Sequence, residues 1–253
     1  MVERDVSGFL PSRYGLHFAN TFPPGPTVRL GPLDPRVIGI GDASGGLCGG
    51  MALTARDLWA AGLPAPPDTE PPANGTRRFT ALVRRQVQSL DWLRVPLRYA
   101  VLAVLHPDPP TRLGRLLGRE PVRVPSLICE WPRIAAELDA GRPCVVELIR
   151  VGGPTPAALV RNHQVLAWAY AMTAASADGP AARAVAREGG AIRLRVYDPN
   201  HPGRDDVSLE VTVTADDGLP LRQRIAIRQS TGEPLIGFFR GPDLPDVPVG
   251  AWR

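Results

Sequence analysis

Gly45-Gly46-Leu47-Cys48-Gly49-Gly50-Met51 opens the stretch on which the reading of the chain turns, and Ala52-Leu53-Thr54-Ala55-Arg56-Asp57-Leu58-Trp59-Ala60-Ala61-Gly62 completes it. Met51, Ala55, Leu58 and Trp59 recur at helical spacing, which predicts a helix with one buried face. Gly62, followed by Pro64, supplies its stop signal. Cys48 then stands at or just inside the N-terminus, where backbone N–H groups lack partners and the helix dipole is positive. Both effects favour the thiolate, the nucleophilic form of cysteine. The flanking glycines keep side chains away from the sulfur, so another backbone can approach it closely. A small cysteine buried in a glycine-rich helix start fits the same letters equally well, so partners elsewhere in the chain must decide.

Composition narrows the classes. The 253 residues are 44% hydrophobic, enough for a sizeable core in one domain. The formal charge of +4 rests on arginine alone, because the chain contains no lysine. Those arginines are scattered among 25 carboxylates, with no aromatic-interleaved basic stripe, so no nucleic-acid partner is expected. Cys48, Cys129 and Cys144 make an odd count without short metal spacing, which argues against a disulfide framework and against a metal site. No cofactor is expected. A reducing compartment fits that cysteine usage. The first residues carry no apolar signal region, and the apolar run 97–105 is far shorter than the ~20 residues of a membrane span. The expectation is a cytoplasmic protein with no membrane partner; the oligomeric state stays open.

Outward from Cys48, residues 1–41 are proline-rich and predicted to be irregular. His17 and Asn20 within them read more readily as structural than as catalytic. Beyond a proline-rich loop at 63–75, a helix is predicted over 76–94, with Phe79, Leu82, Val83, Val87, Leu90 and Leu93 inward and its arginines on a solvated face. Residues 97–105 fit a short helix or a buried strand, and 111–120 a short helix. A further helix starts near Trp131, with Pro132 in its first turn and Gly141 at its end. Strands follow at 144–151, 163–170, 192–197, 207–213, 223–228 and 235–239, several alternating apolar with polar. Helices first and an antiparallel sheet second is an α+β pattern. The reading is a single domain, 1–253, whose mainly helical half (1–140) packs on a mainly sheet half (141–253) with a site in the cleft between.

Thiol chemistry needs a base within hydrogen-bond reach of the sulfur and a third group to orient that base. His163 opens one strand and Asp198 closes its neighbour. The start of one strand and the end of an antiparallel partner share a sheet edge, so imidazole and carboxylate can meet there. Asn200 is the alternative third member, and His201 reads as part of the turn after Asp198.

The order Cys48, His163, Asp198 resembles the papain-like cysteine peptidases. Ala140-Gly141-Arg142-Pro143-Cys144-Val145-Val146, His163-Gln164-Val165 and Val196-Tyr197-Asp198-Pro199 look most like the branch that processes bacteriocin leaders. The resemblance spans roughly residues 36–205. It implies a papain-like fold, with Cys48 as nucleophile, His163 as general base and acid, and Asp198 as the orienting group. It also implies a peptide or other acyl bond as substrate. That family carries a glutamine six residues before the nucleophile to donate to the oxyanion; here the position is Asp42. An ionised carboxylate cannot donate. Losing such a donor costs about 3–4 kcal/mol of transition-state stabilisation. The backbone N–H groups of Cys48 and Gly49, or Ser44, or Asn20, would have to substitute. Two rival readings follow: a papain-like protein that binds a peptide or small ligand without turnover, and a Cys-His-Asp acyltransferase.

Overall fold

A computed structural model describes residues 1–23, 46–109, 114, 116–153, 161–174, 181–215 and 218–253. The chain is α+β, with helices set against one antiparallel sheet that curls into a nearly closed, barrel-like form. Its strands are β1 (Val2–Asp5), β2 (Cys144–Ile149), β3 (His163–Ala174), β4 (Gly190–Tyr197), β5 (Ser208–Val213), β6 (Ile225–Gln229) and β7 (Gly237–Arg240). The order is β6-β5-β4-β3-β2-β7. β3 is the spine. β4 lines one of its edges; the other is shared by β2, opposite 163–167, and β1, opposite 169–172.

Burial explains why these segments are strands. β2 is buried along its whole length, and β4 alternates buried Ile192, Leu194 and Val196 with exposed Arg193 and Arg195. That is the pattern of a strand with one face on the core and one in water. β1 is the strand the sequence reading lacks. All four of its residues are exposed, so no apolar alternation announces it, and it is held by backbone pairing to β3.

The helices are α1 (Pro11–Tyr14), α2 (Cys48–Ala60), α3 (Arg77–Ser89), α4 (Arg94–Leu105), α5 (Trp131–Asp139), α6 (Ala181–Glu188) and α7 (Leu221–Arg224). α2 is the central one. Every residue from Gly49 to Leu58 is buried, against α3 on one side and the sheet on the other. The run 97–105 resolves as helix rather than strand, with Val95 and Tyr99 inward. α5 begins at Trp131 with Pro132 in its first turn, buries Ile134 and Leu138, and is followed by Gly141 at φ +72°. α6 occupies a segment read as a plain connector; of the expected helix over 111–120, residues 111–113 and 115 lie outside the described residues, 114 and 116 are helical, and 117–118 form a turn.

One expectation for α3 fails. Arg85 is buried, not solvated, because it points into the α2–α3 contact and meets buried Asp57 of α2 at 2.6 Å. The C-terminal segment seals this pair. The carbonyl of Pro245 accepts from Arg85, and the N–H of Val247 donates to Asp57. The proline-rich tail is therefore a packed strap over two helices.

Gly50 permits the close α2–α3 approach. A Cβ there would lie 2.4 Å from the Leu82 carbonyl oxygen, while at Gly250 it would meet nothing within 4 Å. Gly50→Ala should therefore destabilise the chain by about 1–3 kcal/mol, the usual cost of overpacking. Gly250→Ala should stay within about 0.5 kcal/mol of wild type, as surface substitutions do. Chemical denaturation of the two variants checks both.

Candidate functional site

Cys48 is the first residue of α2 and is only partly buried. The start of this helix is held from two sides. The Leu47 N–H donates to Asn20 Oδ1 at 2.6 Å, and the Gly50 N–H donates to Gln86 Oε1 at 2.9 Å. Between them, the N–H groups of Cys48 and Gly49 meet no acceptor among the described residues. Two unpaired donors at the positive end of a helix form a cradle for negative charge.

Asn20 staples this helix start to the sheet. Its N–H donates to the Pro199 carbonyl (3.0 Å), and its Nδ2 donates to Asn200 Oδ1 (3.3 Å). Gly46 has φ +88°, and a Cβ on it would sit 2.5 Å from Asn20 Nδ2, so the glycine is required both for its conformation and for that contact.

His163 begins β3 and Asp198 directly follows β4. Tyr197 pairs with Leu166, so the register carries Asp198 to the level of Val165, diagonal to His163 on one face. The ring Nε2 and Asp198 Oδ1 are 2.7 Å apart. That contact uses Nε2, and Cys48 lies close enough to the ring for its charge to act on the imidazole. The structure thus joins His163 to Asp198, with Cys48 nearby at the start of α2. Asn200 is not the group facing the ring. Its backbone N–H donates to Asp198 Oδ1, and its side chain turns to Asn20. The His201 N–H closes the turn on the Asp198 carbonyl, and its ring meets Glu233. Asp42 and Ser44 lie outside the described residues.

Charge is tightly managed here. Asp198 is fully buried. Burial alone would raise its pKa, but His163, the Asn200 N–H and Arg150 outweigh that and hold it near about 2. Gln229 Nε2 donates to the second oxygen, Oδ2, at 2.7 Å. Arg150 reaches Gln229 Oε1 at 3.0 Å and Asp198 Oδ2 at 3.8 Å. For His163, burial pushes the pKa down, but the charges of Asp198 and Cys48 and their hydrogen bonds carry it up to about 9. The imidazolium is therefore the neutral-pH form.

A second buried network, missed by sequence reasoning, underlies the first. Glu147 of β2 is fully buried beside the β3 start. Gln164 Nε2 donates to its Oε1 (2.6 Å), and Tyr99 OH meets its Oε2 (3.0 Å). The Ser89 hydroxyl donates to Gln164 Oε1 (2.9 Å). A Cβ on Gly49 would lie 1.7 Å from that same Gln164 oxygen. Gly49 thus lets the residue after Cys48 rest directly on the Gln164 amide.

Comparison with models of protein families, with curated proteins and with solved structures finds no match. Among the described residues no group of three or more His, Cys, Asp or Glu side chains is disposed to hold a metal ion, and no helix is long and apolar enough to cross a membrane.

Burial carries the Glu147 pKa up to about 8, although Gln164 and Tyr99 act in the opposite sense. The unfolded chain releases this proton near ~4.3. The folded state therefore binds it more tightly, and stability is lost as pH rises between those values. Between pH 5 and pH 8 the melting temperature of wild type should fall further than that of Glu147→Gln, which keeps the shape without the titration. Thermal melts of both proteins across that range measure the difference.

Proposed function

We propose that this chain is a papain-like cysteine hydrolase acting on a peptide or other acyl bond. The observation that carries the reading is the 2.7 Å pairing of the His163 ring with buried Asp198, with Cys48 at the start of α2 close enough for its charge to act on that ring. In the attack step the Cys48 thiolate adds to the substrate carbonyl carbon. The His163 imidazolium, held by Asp198 through Nε2, then gives a proton to the leaving group. The acyl group passes to the sulfur. His163, now neutral, takes a proton from water, whose oxygen attacks the thioester and releases the acid and free Cys48.

The oxyanion formed in each step needs donors at the helix start. The unpaired N–H groups of Cys48 and Gly49 supply two, which favours turnover over mere binding even though Asp42 replaces the glutamine of the resembled family. Asn20 is a positioning residue in this scheme. Its side chain is engaged by Leu47 and Asn200, which fixes the distance between nucleophile helix and sheet.

At pH 6.5 iodoacetamide should alkylate Cys48 at least tenfold faster than a free thiol such as glutathione. His163→Ala should bring the rate down to the free-thiol level. Mass spectrometry of the alkylated peptides, with exposed Cys129 as internal reference, gives both rates. A wild-type Cys48 no faster than glutathione, or one indifferent to His163→Ala, removes the catalytic pair.

A further inference from the structure

A second cleft lies away from Cys48, between the helical layer and the C-terminal strap. It encloses about 690 Å³ and is walled by α2, α3 and residues 247–252. Thr54 and Asp57 are its α2 contribution, six and nine residues beyond Cys48 on the same helix. At 1.5 Å per residue that separates cleft and sulfur by roughly 9–14 Å along the axis.

Arg77, Thr80, Arg84 and Gln88 present one face of α3 to this cleft, at spacings of three, four and four residues. Arg77 and Arg84 are exposed, and neither has an ion pair among the described residues. Their neighbours differ. Arg78 is taken by Asp68, and Arg56 by Asp246. The helical rise puts the Cα atoms of Arg77 and Arg84 about 10 Å apart, so two long side chains can converge on one group.

The floor is already satisfied by the protein itself. Arg85 has a side chain only 4% exposed; it spends its terminal nitrogens on Gln88, Asp57 and the Pro245 carbonyl. Its Nε is itself buried, so Arg85 closes the floor and offers no donor to the cleft. The only carboxylate among the described residues lining the cleft, Asp57, is already consumed by Arg85 and the Val247 N–H. The opposite wall is apolar, with Val249 and Trp252 buried in the strap.

We propose that this cleft binds a small amphiphilic anion, its carboxylate or phosphate headgroup between Arg77 and Arg84, and its short apolar chain against Val249 and Trp252. The site uses none of the Cys48, His163 and Asp198 machinery.

Octanoate, octyl phosphate and neutral octanamide are titrated into the full chain while tryptophan fluorescence is followed. Octanoate or octyl phosphate should give a saturable change, and the tighter of the two names the headgroup. Octanamide should bind at least tenfold more weakly. Arg77→Ala/Arg84→Ala, which alters two exposed side chains, should weaken the anion at least tenfold. Trp252→Phe should abolish the signal, and Cys48→Ala should leave the affinity unchanged. The proposal is overturned if neither anion saturates, if octanamide binds equally well, or if the arginine pair proves dispensable. Retention of the signal in Trp252→Phe, or loss of binding in Cys48→Ala, would place the ligand elsewhere and equally overturn it. Inorganic phosphate binding as tightly as octyl phosphate would remove the apolar wall from the account.

Discussion

A carboxylate with no exposure to water sits at the edge of the sheet, and the region around it is built to keep it ionised. Moving an isolated charge from water into a protein interior costs several kcal/mol even after relaxation. Asp198 survives there because both oxygens are engaged: Oδ1 by His163 and the Asn200 N–H, Oδ2 by Gln229, with Arg150 behind. Each partner comes from a different place in the fold: the β3 start, the turn after β4, the β6 end and the β2 end. Assembling the sheet in this order is what gathers them. The same charge keeps His163 protonated at neutral pH, so the state of the imidazole is a consequence of sheet topology.

Cys48 belongs to a different layer, and glycine is what lets that layer close on the first. Gly49 seats the helix start on Gln164, and Gly50 seats it on α3. Asn20 ties the preceding residue to the turn beyond Asp198. The distance from sulfur to imidazole therefore depends on small residues and buried amides, in keeping with the packing of Glu147, Gln164 and Ser89 beneath the site. A methyl group at either glycine would have to displace this support before the sulfur could return to its place.

Much of this was legible in the letters, and the remainder was hidden for a physical reason. α2 and its cysteine announce themselves through apolar spacing and a glycine-rich entry. The strands alternate, and His163 and Asp198 stand at strand ends that antiparallel pairing brings together. Glu147, Gln164, Ser89, Gln229 and Arg150 gave no such signal. A buried polar residue looks in sequence like an exposed one, and its partners here lie 17 to 79 residues away. Arg85 shows the same difficulty: its neighbours on α3 are solvated arginines, and only tertiary contact with Asp57 distinguishes it. β1 escaped because backbone pairing needs no apolar pattern.

The central claim is that Asp198 holds His163 as an imidazolium facing the sulfur. Titrating the four histidine rings by NMR in wild type and in Asp198→Asn tests it most directly. The account predicts one ring, assigned to His163, with a midpoint near about 9 in wild type and a marked fall in the variant. A wild-type midpoint near the ordinary ~6.5 of histidine, unchanged by Asp198→Asn, would contradict it.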